Sequence, residues 1–181
     1  MKIKPMYQHR WAELLIIALV ISIISLLLNI ENPAGIVIIT SLASTALGLM
    51  VAPGAFTNSV RSVFLSYILA LFVSVFTGWI YLQVFSGDVG LTSVVFFIKF
   101  LIMLSATLLL FGFFDVYHPP SIGAMLTYFI DHGFSDADLI IFVPICVIFL
   151  LATIKTYIYT RHSDQFKWAD FRTNEFKRPE H

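Results

Sequence analysis

Long runs of apolar residues, each about the length that crosses a lipid bilayer, dominate the pattern of hydrophobic and polar positions. A transmembrane helix needs about 20 mostly apolar residues. Four stretches meet this requirement, at residues 11–30, 62–85, 91–114 and 139–159. Two further apolar stretches are less regular: 34–52 is rich in small and polar residues, and 121–130 has ten residues and directly follows a double proline. The pattern predicts an all-α, polytopic membrane protein with four long helices and two short or broken ones.

The order of these segments repeats at a spacing of 80 residues. A long helix, a short helix and a long helix occupy residues 11–85, and the same order occupies residues 91–159. Few residues are identical at this offset, so the prediction of a duplicated unit depends on the order and length of the segments. The alternative is that this similarity arises by chance. In transporters, tandem units that each contain a broken helix place the binding site where the broken helices meet.

Composition excludes several classes of protein. Hydrophobic residues make up 59% of the 181-residue chain and charged residues 12%, against about half and a quarter in soluble domains. Residues 14–154 carry only eight charges. A soluble enzyme, a disulfide-built secreted domain and a disordered chain are excluded, because none could leave so much apolar surface in water. The net charge is zero, so no overall basic field attracts nucleic acid.

Positive charges near the membrane predict the orientation. Lysine and arginine cluster in residues 1–10 and from Lys155 onward, so both termini are expected in the cytoplasm, the membrane being the cell (inner) membrane. Two cytoplasmic ends need an even number of crossings: six, with the two halves inverted, or four, with re-entrant short helices. The expected organisation is a cytoplasmic N-terminus (1–10), one membrane domain (11–159) and a cytoplasmic tail (160–181) that lies on the membrane interface.

A proline-centred motif, DVYHPPSIGAML at residues 115–126, is the most distinctive string in the chain. Pro119 and Pro120 each lack a backbone donor and prevent regular helix through this point. A helix restarting at Ser121 would present free N–H groups at Ser121, Ile122, Gly123 and Ala124, and these suit a dehydrated anion. The alternative is a proline-broken loop capped by Ser121.

This motif resembles the signature of a known family. His118-Pro119-Pro120, followed by Gly123-Ala124 and placed between long apolar helices, resembles the signature of the HPP family of integral membrane proteins. Residues 41–53, followed by Arg61, are similar to the first-half pattern of the family. The resemblance covers about residues 11–158, and Tyr67 stands where a histidine is common. Family members are implicated in nitrite transport, so the resemblance implies nitrite as the substrate.

Three ionisable side chains are candidates for the pathway. His118 could donate to an anion or carry a proton; the alternative is an interfacial histidine that hydrogen bonds with Asp115. Arg61 could pair with a planar oxyanion, or it could simply mark the cytoplasmic side. Lys99 lies within an apolar segment, where a lysine either serves the pathway, snorkels or forms an ion pair.

Small residues complete the predicted pathway. In membranes such patches usually allow close helix packing, and lining a pathway with hydroxyl groups is the alternative. The complete set of predicted pathway residues is His118, Pro119, Pro120, Ser121, Gly123, Ala124, Ser41, Ser44, Thr45, Arg61 and Lys99.

The expected function is a transporter or channel for a small inorganic anion. The alternative is a membrane scaffold or subunit without transport activity of its own. An enzyme is not expected, because the membrane segments contain no paired carboxylates, metal-spaced histidines or nucleophile motif. No cofactor or metal is expected, and Cys146 is the only cysteine. The expected partners are the lipid bilayer, a small anion and, from the few, small-residue-rich helices, a second copy of the chain in a homo-oligomer.

Overall fold

The computed structural model describes residues 11–27, 33–52, 55–84, 94–130, 137–161 and 175–176. Within these ranges every regular element of three or more residues is a helix, which confirms the all-α prediction. The α-helices are α1 (Trp11–Leu27), α2 (Pro33–Val51), α3 (Val60–Val84), α4 (Val94–Phe114), α5 (Ser121–Ile130) and α6 (Ala137–Arg161), and a short 3-10 helix (Phe56–Asn58) precedes α3.

Three helices are long and apolar enough to cross a membrane. The candidate spans are Val60–Ile80 in α3, Phe97–Phe114 in α4 and Val143–Thr160 in α6. Helix α1 is described over 17 residues, and the end of the predicted stretch, 28–30, lies outside the described residues. These helices expose many large apolar side chains, including Leu109 and Phe113 at about three-quarters of their surface. Such surfaces suit contact with lipid.

The two short segments of the predicted repeat lie at the centre of the bundle. Helix α5 packs against both α3 and α2, and α2 also packs against α6. The long helices α3 and α6 contact each other, whereas α1 packs mainly on α2 and α4 mainly on α3. Helices α2, α3, α5 and α6 therefore form the centre of the bundle, and each predicted half contributes two of them.

Two apolar clusters hold this arrangement. The larger cluster joins α1, α2, α3 and α6 through fully buried side chains such as Ile38, Leu42 and Leu150. The smaller cluster joins α3, α4 and α5 around Met103, Phe111 and Met125. Burying a side chain of this size contributes about 1.5–3 kcal/mol in water, but in lipid the gain comes from close packing. Helix α5 contributes to both clusters, through Ala124 in the larger one and Met125 in the smaller one.

The tail contributes a buried carboxylate to the bundle. Glu175 is 2% exposed. One of its oxygens accepts from Lys155 Nζ and from the Tyr159 hydroxyl, each at 2.6 Å, and the other accepts from the Val60 backbone N–H at 2.8 Å. Most of the tail predicted to lie on the interface is outside the described residues, but Glu175 packs inside the protein instead. Lys155, which the orientation argument counted with the basic end, is also buried.

Candidate functional site

His118 is the centre of a buried polar site. It precedes the two prolines between α4 and α5, and only 2% of its surface is exposed. Its Nδ1 lies 2.8 Å from the Thr57 carbonyl oxygen, and its Nε2 lies 2.8 Å from Thr45 Oγ1. Both ring nitrogens therefore have hydrogen-bond partners other than Asp115. The alternative prediction, an interfacial histidine that hydrogen bonds with Asp115, is wrong.

Four side chains form what we call the polar cluster: Ser41, Thr45, Tyr67 and His118. The Tyr67 hydroxyl lies 2.8 Å from Ser41 Oγ and 2.9 Å from Thr45 Oγ1. Its ring faces the imidazole of His118 with the ring centroids 6.0 Å apart. Ser41 Oγ also donates to the Pro120 carbonyl, which links α2 directly to the proline motif. All four side chains are less than 7% exposed.

Helical spacing explains which hydroxyls reach the cluster. Ser41 and Thr45 are four residues apart and therefore share one face of α2. Ser44, also predicted to line the pathway, is exposed on another face and does not hydrogen bond with the cluster. Gly123 allows the approach of α5, because a Cβ at this position would lie 3.0 Å from Ser41 Cβ. Of the three predicted residues on α2, Ser41 and Thr45 thus lie beside the motif and Ser44 does not; their role in a pathway stays a prediction.

The start of α5 does not present the predicted row of free amides. The N–H groups of Ser121, Ile122 and Gly123 donate to the carbonyls of His118, Pro119 and Pro120 at 3.0–3.1 Å. The Ser121 hydroxyl also donates to the His118 carbonyl, at 2.7 Å. Tight turns at the proline pair place the carbonyls of residues 118–120 against the amides of residues 121–123. The expectation that these amides are free is therefore wrong. An anion would have to displace these hydrogen bonds to reach the helix start.

Arg61 stabilises the end of a helix. Its guanidinium donates to the carbonyls of Phe114 at 2.7 Å and Asp115 at 3.3 Å, where α4 ends. Asp115 there adopts a φ of 49°, a left-handed conformation typical of helix ends. A cation near the last carbonyls of a helix is favourable because they carry partial negative charge. Its contacts are therefore with backbone oxygens, and the residue does not hydrogen bond with the polar cluster.

The remaining predicted residues lie around the cluster. Lys99 is half-buried on α4 and does not hydrogen bond with any cluster side chain. Ala124 is fully buried and belongs to the larger apolar cluster. Pro119 is exposed, whereas Pro120 is half-buried and contributes its carbonyl to Ser41. The motif thus contributes backbone oxygens and one imidazole to the site.

Sequence reasoning missed two members of the site. Tyr67 was noted only as a departure from the family pattern, yet it is fully buried and bridges Ser41 and Thr45. The Thr57 carbonyl, which fixes the imidazole, lies in the 3-10 helix and leaves no trace in side-chain pattern. The signal for Tyr67 was available: a tyrosine in the middle of a membrane helix needs a partner for its hydroxyl.

The cluster is uncharged when His118 is neutral, and its chemistry is hydrogen bonding and proton exchange. It contains three hydroxyls and one imidazole and is surrounded by carbonyl oxygens of Ser41, Thr57 and Pro120. Among the described residues there is no group of three or more histidine, cysteine, aspartate or glutamate side chains that could hold a metal ion. The groups of the cluster are hydrogen-bond donors and acceptors, and the imidazole among them can take up a proton.

Comparisons with known proteins find no match for this chain among family models, curated proteins or solved structures. Membership in the HPP family stays a prediction carried by the motif residues.

Proposed function

We propose that this protein is an integral membrane transporter or channel for a small inorganic anion, with nitrite the substrate that the resemblance implies. One observation carries the proposal. Helix α2, which is continuous over 19 residues and not short or broken as predicted, meets the short helix α5 inside the bundle at a buried polar cluster that contains His118. Buried ionisable and hydroxyl side chains are costly among apolar helices and usually mark a substrate or ion pathway.

The contacts among the four central helices agree with two related halves, α1–α3 and α4–α6, whereas the outer helices do not follow the exchange, since α1 packs mainly on α2 and α4 mainly on α3. Exchanging the halves maps α2 onto α5 and α3 onto α6. Under this exchange the α2–α5 and α3–α6 contacts map onto themselves, and the α3–α5 contact maps onto the α2–α6 contact. Inverted halves that meet at their broken helices are the arrangement in which rocking of one half exposes a central site alternately to each side. Both termini are proposed to be cytoplasmic.

Anion flux into liposomes tests the proposal. The full chain is reconstituted, and uptake of nitrite, nitrate, formate and chloride is compared with that of protein-free liposomes. We expect nitrite uptake above the protein-free level, and we expect His118→Ala and Ser41→Ala to reduce it. Ser44→Ala is the matched control, because the same change on the exposed face of α2 leaves the cluster intact. Absence of flux for all four anions, or unchanged flux in His118→Ala, would overturn the proposal.

A scaffold without transport activity is the second candidate, and a specific observation favours it. Every polar side chain of the cluster already has partners within the protein, and α2 and α5 are in close contact at Gly123. Such a cluster could serve only to hold helices together. A scaffold predicts that Ser41→Ala and His118→Ala lower the melting temperature and change oligomer size, with no flux in the unmodified protein.

A further inference from the structure

The hydrogen bonds of the polar cluster fix the proton positions on His118. A carbonyl oxygen only accepts, so Nδ1, which faces the Thr57 carbonyl, carries a proton in every state. Nε2 faces the Thr45 hydroxyl. A neutral His118 therefore accepts from Thr45 at Nε2, and proton uptake can occur only there.

The cluster has fewer protons than hydrogen-bond contacts. Five contacts join Ser41, Thr45 and Tyr67 to one another, to Nε2 and to the carbonyls of Ser41 and Pro120. When His118 is neutral, only three protons, those of the Ser41, Thr45 and Tyr67 hydroxyls, are present to form these five contacts. Thr45 then donates to Nε2 and leaves the Ser41 carbonyl, 3.0 Å away, without its proton. A proton on Nε2 would let Thr45 turn its O–H to that carbonyl. With neutral His118 all three hydroxyl protons of the cluster are thus already committed, and none is left to donate to an anion.

A single charge, whether an imidazolium or a bound anion, is unfavourable inside the polar cluster. The titratable or charged described side chains on the elements around His118 are Tyr67 and Arg61 on α3, Asp115 and Tyr117 in the loop before the prolines, Lys99 on α4, and Cys146, Lys155, Tyr157 and Tyr159 on α6; α2 and the 3-10 helix contribute none. None of them accepts from Nε2, so an imidazolium has no counter-charge in the cluster. A bare anion would meet lone pairs. Buried charges are stable when they are paired.

We propose that the polar cluster binds a proton together with the anion, so that His118 Nε2 takes up one proton for each monovalent anion bound. The proton comes from the aqueous solution, where an O–H or N–H bond of the buffer acid breaks and its conjugate base remains: the Nε2 lone pair forms an N–H bond, Thr45 turns its hydroxyl to the Ser41 carbonyl without breaking its O–H bond, and the imidazolium pairs with the anion. The bound pair is neutral. This inference depends on the proposed function and adds the proton as the co-transported ion.

Calorimetry of nitrite binding tests the coupling. The full chain in lipid nanodiscs is titrated with sodium nitrite at one pH in two buffers of different ionisation enthalpy. Proton uptake makes the observed enthalpy differ between the buffers, and we expect about one proton per nitrite. We expect Tyr117→Phe, an exposed tyrosine in the same loop, to behave like the unmodified protein, and His118→Gln, which cannot be protonated, to lose the buffer dependence. Nitrite binding with equal enthalpy in both buffers overturns the proton coupling and leaves anion transport standing. Absence of both binding and flux overturns the transport proposal as well.

Nitrogen NMR gives a second test that leaves the cluster unmodified. The other four histidines, His9, His132, His162 and His181, lie outside the described residues. Replacing them with asparagine leaves His118 as the only imidazole. Without nitrite we expect the neutral form protonated at Nδ1, and with saturating nitrite the doubly protonated form. A resting form protonated at Nε2, or an imidazole that stays neutral with nitrite bound, would contradict the inference.

Discussion

Gly123 of α5 lies directly against Ser41 of α2, so closely that a Cβ on Gly123 would be 3.0 Å from Ser41 Cβ and 3.3 Å from Ser41 Oγ. The contact places the start of α5 beside the hydroxyl that donates to the Pro120 carbonyl. Small residues allow helix backbones to approach in membranes. Here the approach also determines whether Ser41 can reach Tyr67 and the proline motif at the same time.

Replacing Gly123 with alanine should separate α2 from α5. The added methyl group would need Ser41 and the α2 backbone to shift by a few tenths of an ångström, and overpacking in a well-packed site costs about 1–3 kcal/mol. We expect a lower melting temperature and, if the protein transports nitrite, reduced flux. Gly112→Ala on α4 is the control, because its nearest neighbour would be the Tyr117 hydroxyl at 3.7 Å, an ordinary contact. A melting temperature for Gly123→Ala equal to that of Gly112→Ala would contradict the tight contact.

The coarse fold could be predicted from apolar length alone. Segments of about 20 apolar residues follow from bilayer thickness, and three of the four predicted long stretches appear as helices of sufficient length. The break between α4 and α5 was predictable because proline removes backbone donors.

The partners in the site could be predicted less well. His118, Ser41 and Thr45 were identified from motif and spacing, but Ser44 was included because a small-residue patch does not reveal which face is buried. The amides of α5 were expected to be free because local sequence does not show that the carbonyls of residues 118–120 turn back to accept from them. Tyr67 contacts Ser41 and Thr45, which lie 26 and 22 positions away along the chain. Glu175 contacts Lys155 and Tyr159, which lie 20 and 16 positions away. No local sequence pattern specifies such pairs.

Arg61→Lys should reduce stability without changing anion selectivity. Arginine reaches two carbonyls at the end of α4, those of Phe114 and Asp115. Lysine is a point charge and cannot reproduce this forked geometry. Hydrogen bonds from charged groups contribute about 1.5–3 kcal/mol each, so loss of one should lower the melting temperature measurably. The ratio of nitrite to chloride flux should remain that of the unmodified protein; a changed ratio would instead assign Arg61 to the anion pathway.

Breaking the buried pair of Lys155 and Glu175 should be strongly destabilising. Both side chains are at most 6% exposed, and Nζ lies 2.6 Å from the carboxylate oxygen. Removing one member of a buried ion pair leaves an uncompensated charge and costs about 3–5 kcal/mol. We expect Glu175→Gln and Lys155→Met each to lower the melting temperature strongly. The double variant should lose less than the sum of the two losses, because it leaves no buried charge. Additive losses would show that the two charges do not depend on each other.

Two serines on α3 should respond in opposite directions to the same change. Ser66 and Ser74 are both at most 1% exposed. Ser74 Oγ donates to the Met125 carbonyl at 2.9 Å and so links α3 to α5, whereas Ser66 Oγ has no hydrogen-bond partner among the described residues.

A buried polar group without a partner costs about 1–3 kcal/mol, and a satisfied hydrogen bond contributes about 0.5–1.5 kcal/mol. Ser66→Ala should therefore raise the melting temperature of the reconstituted protein, and Ser74→Ala should lower it. Alanine also favours helix slightly over serine at both positions, so this common gain cancels in the comparison. If Ser66→Ala lowers the melting temperature as much as Ser74→Ala does, the Ser66 hydroxyl has a partner in the membrane, such as a buried water, that replaces the missing protein group.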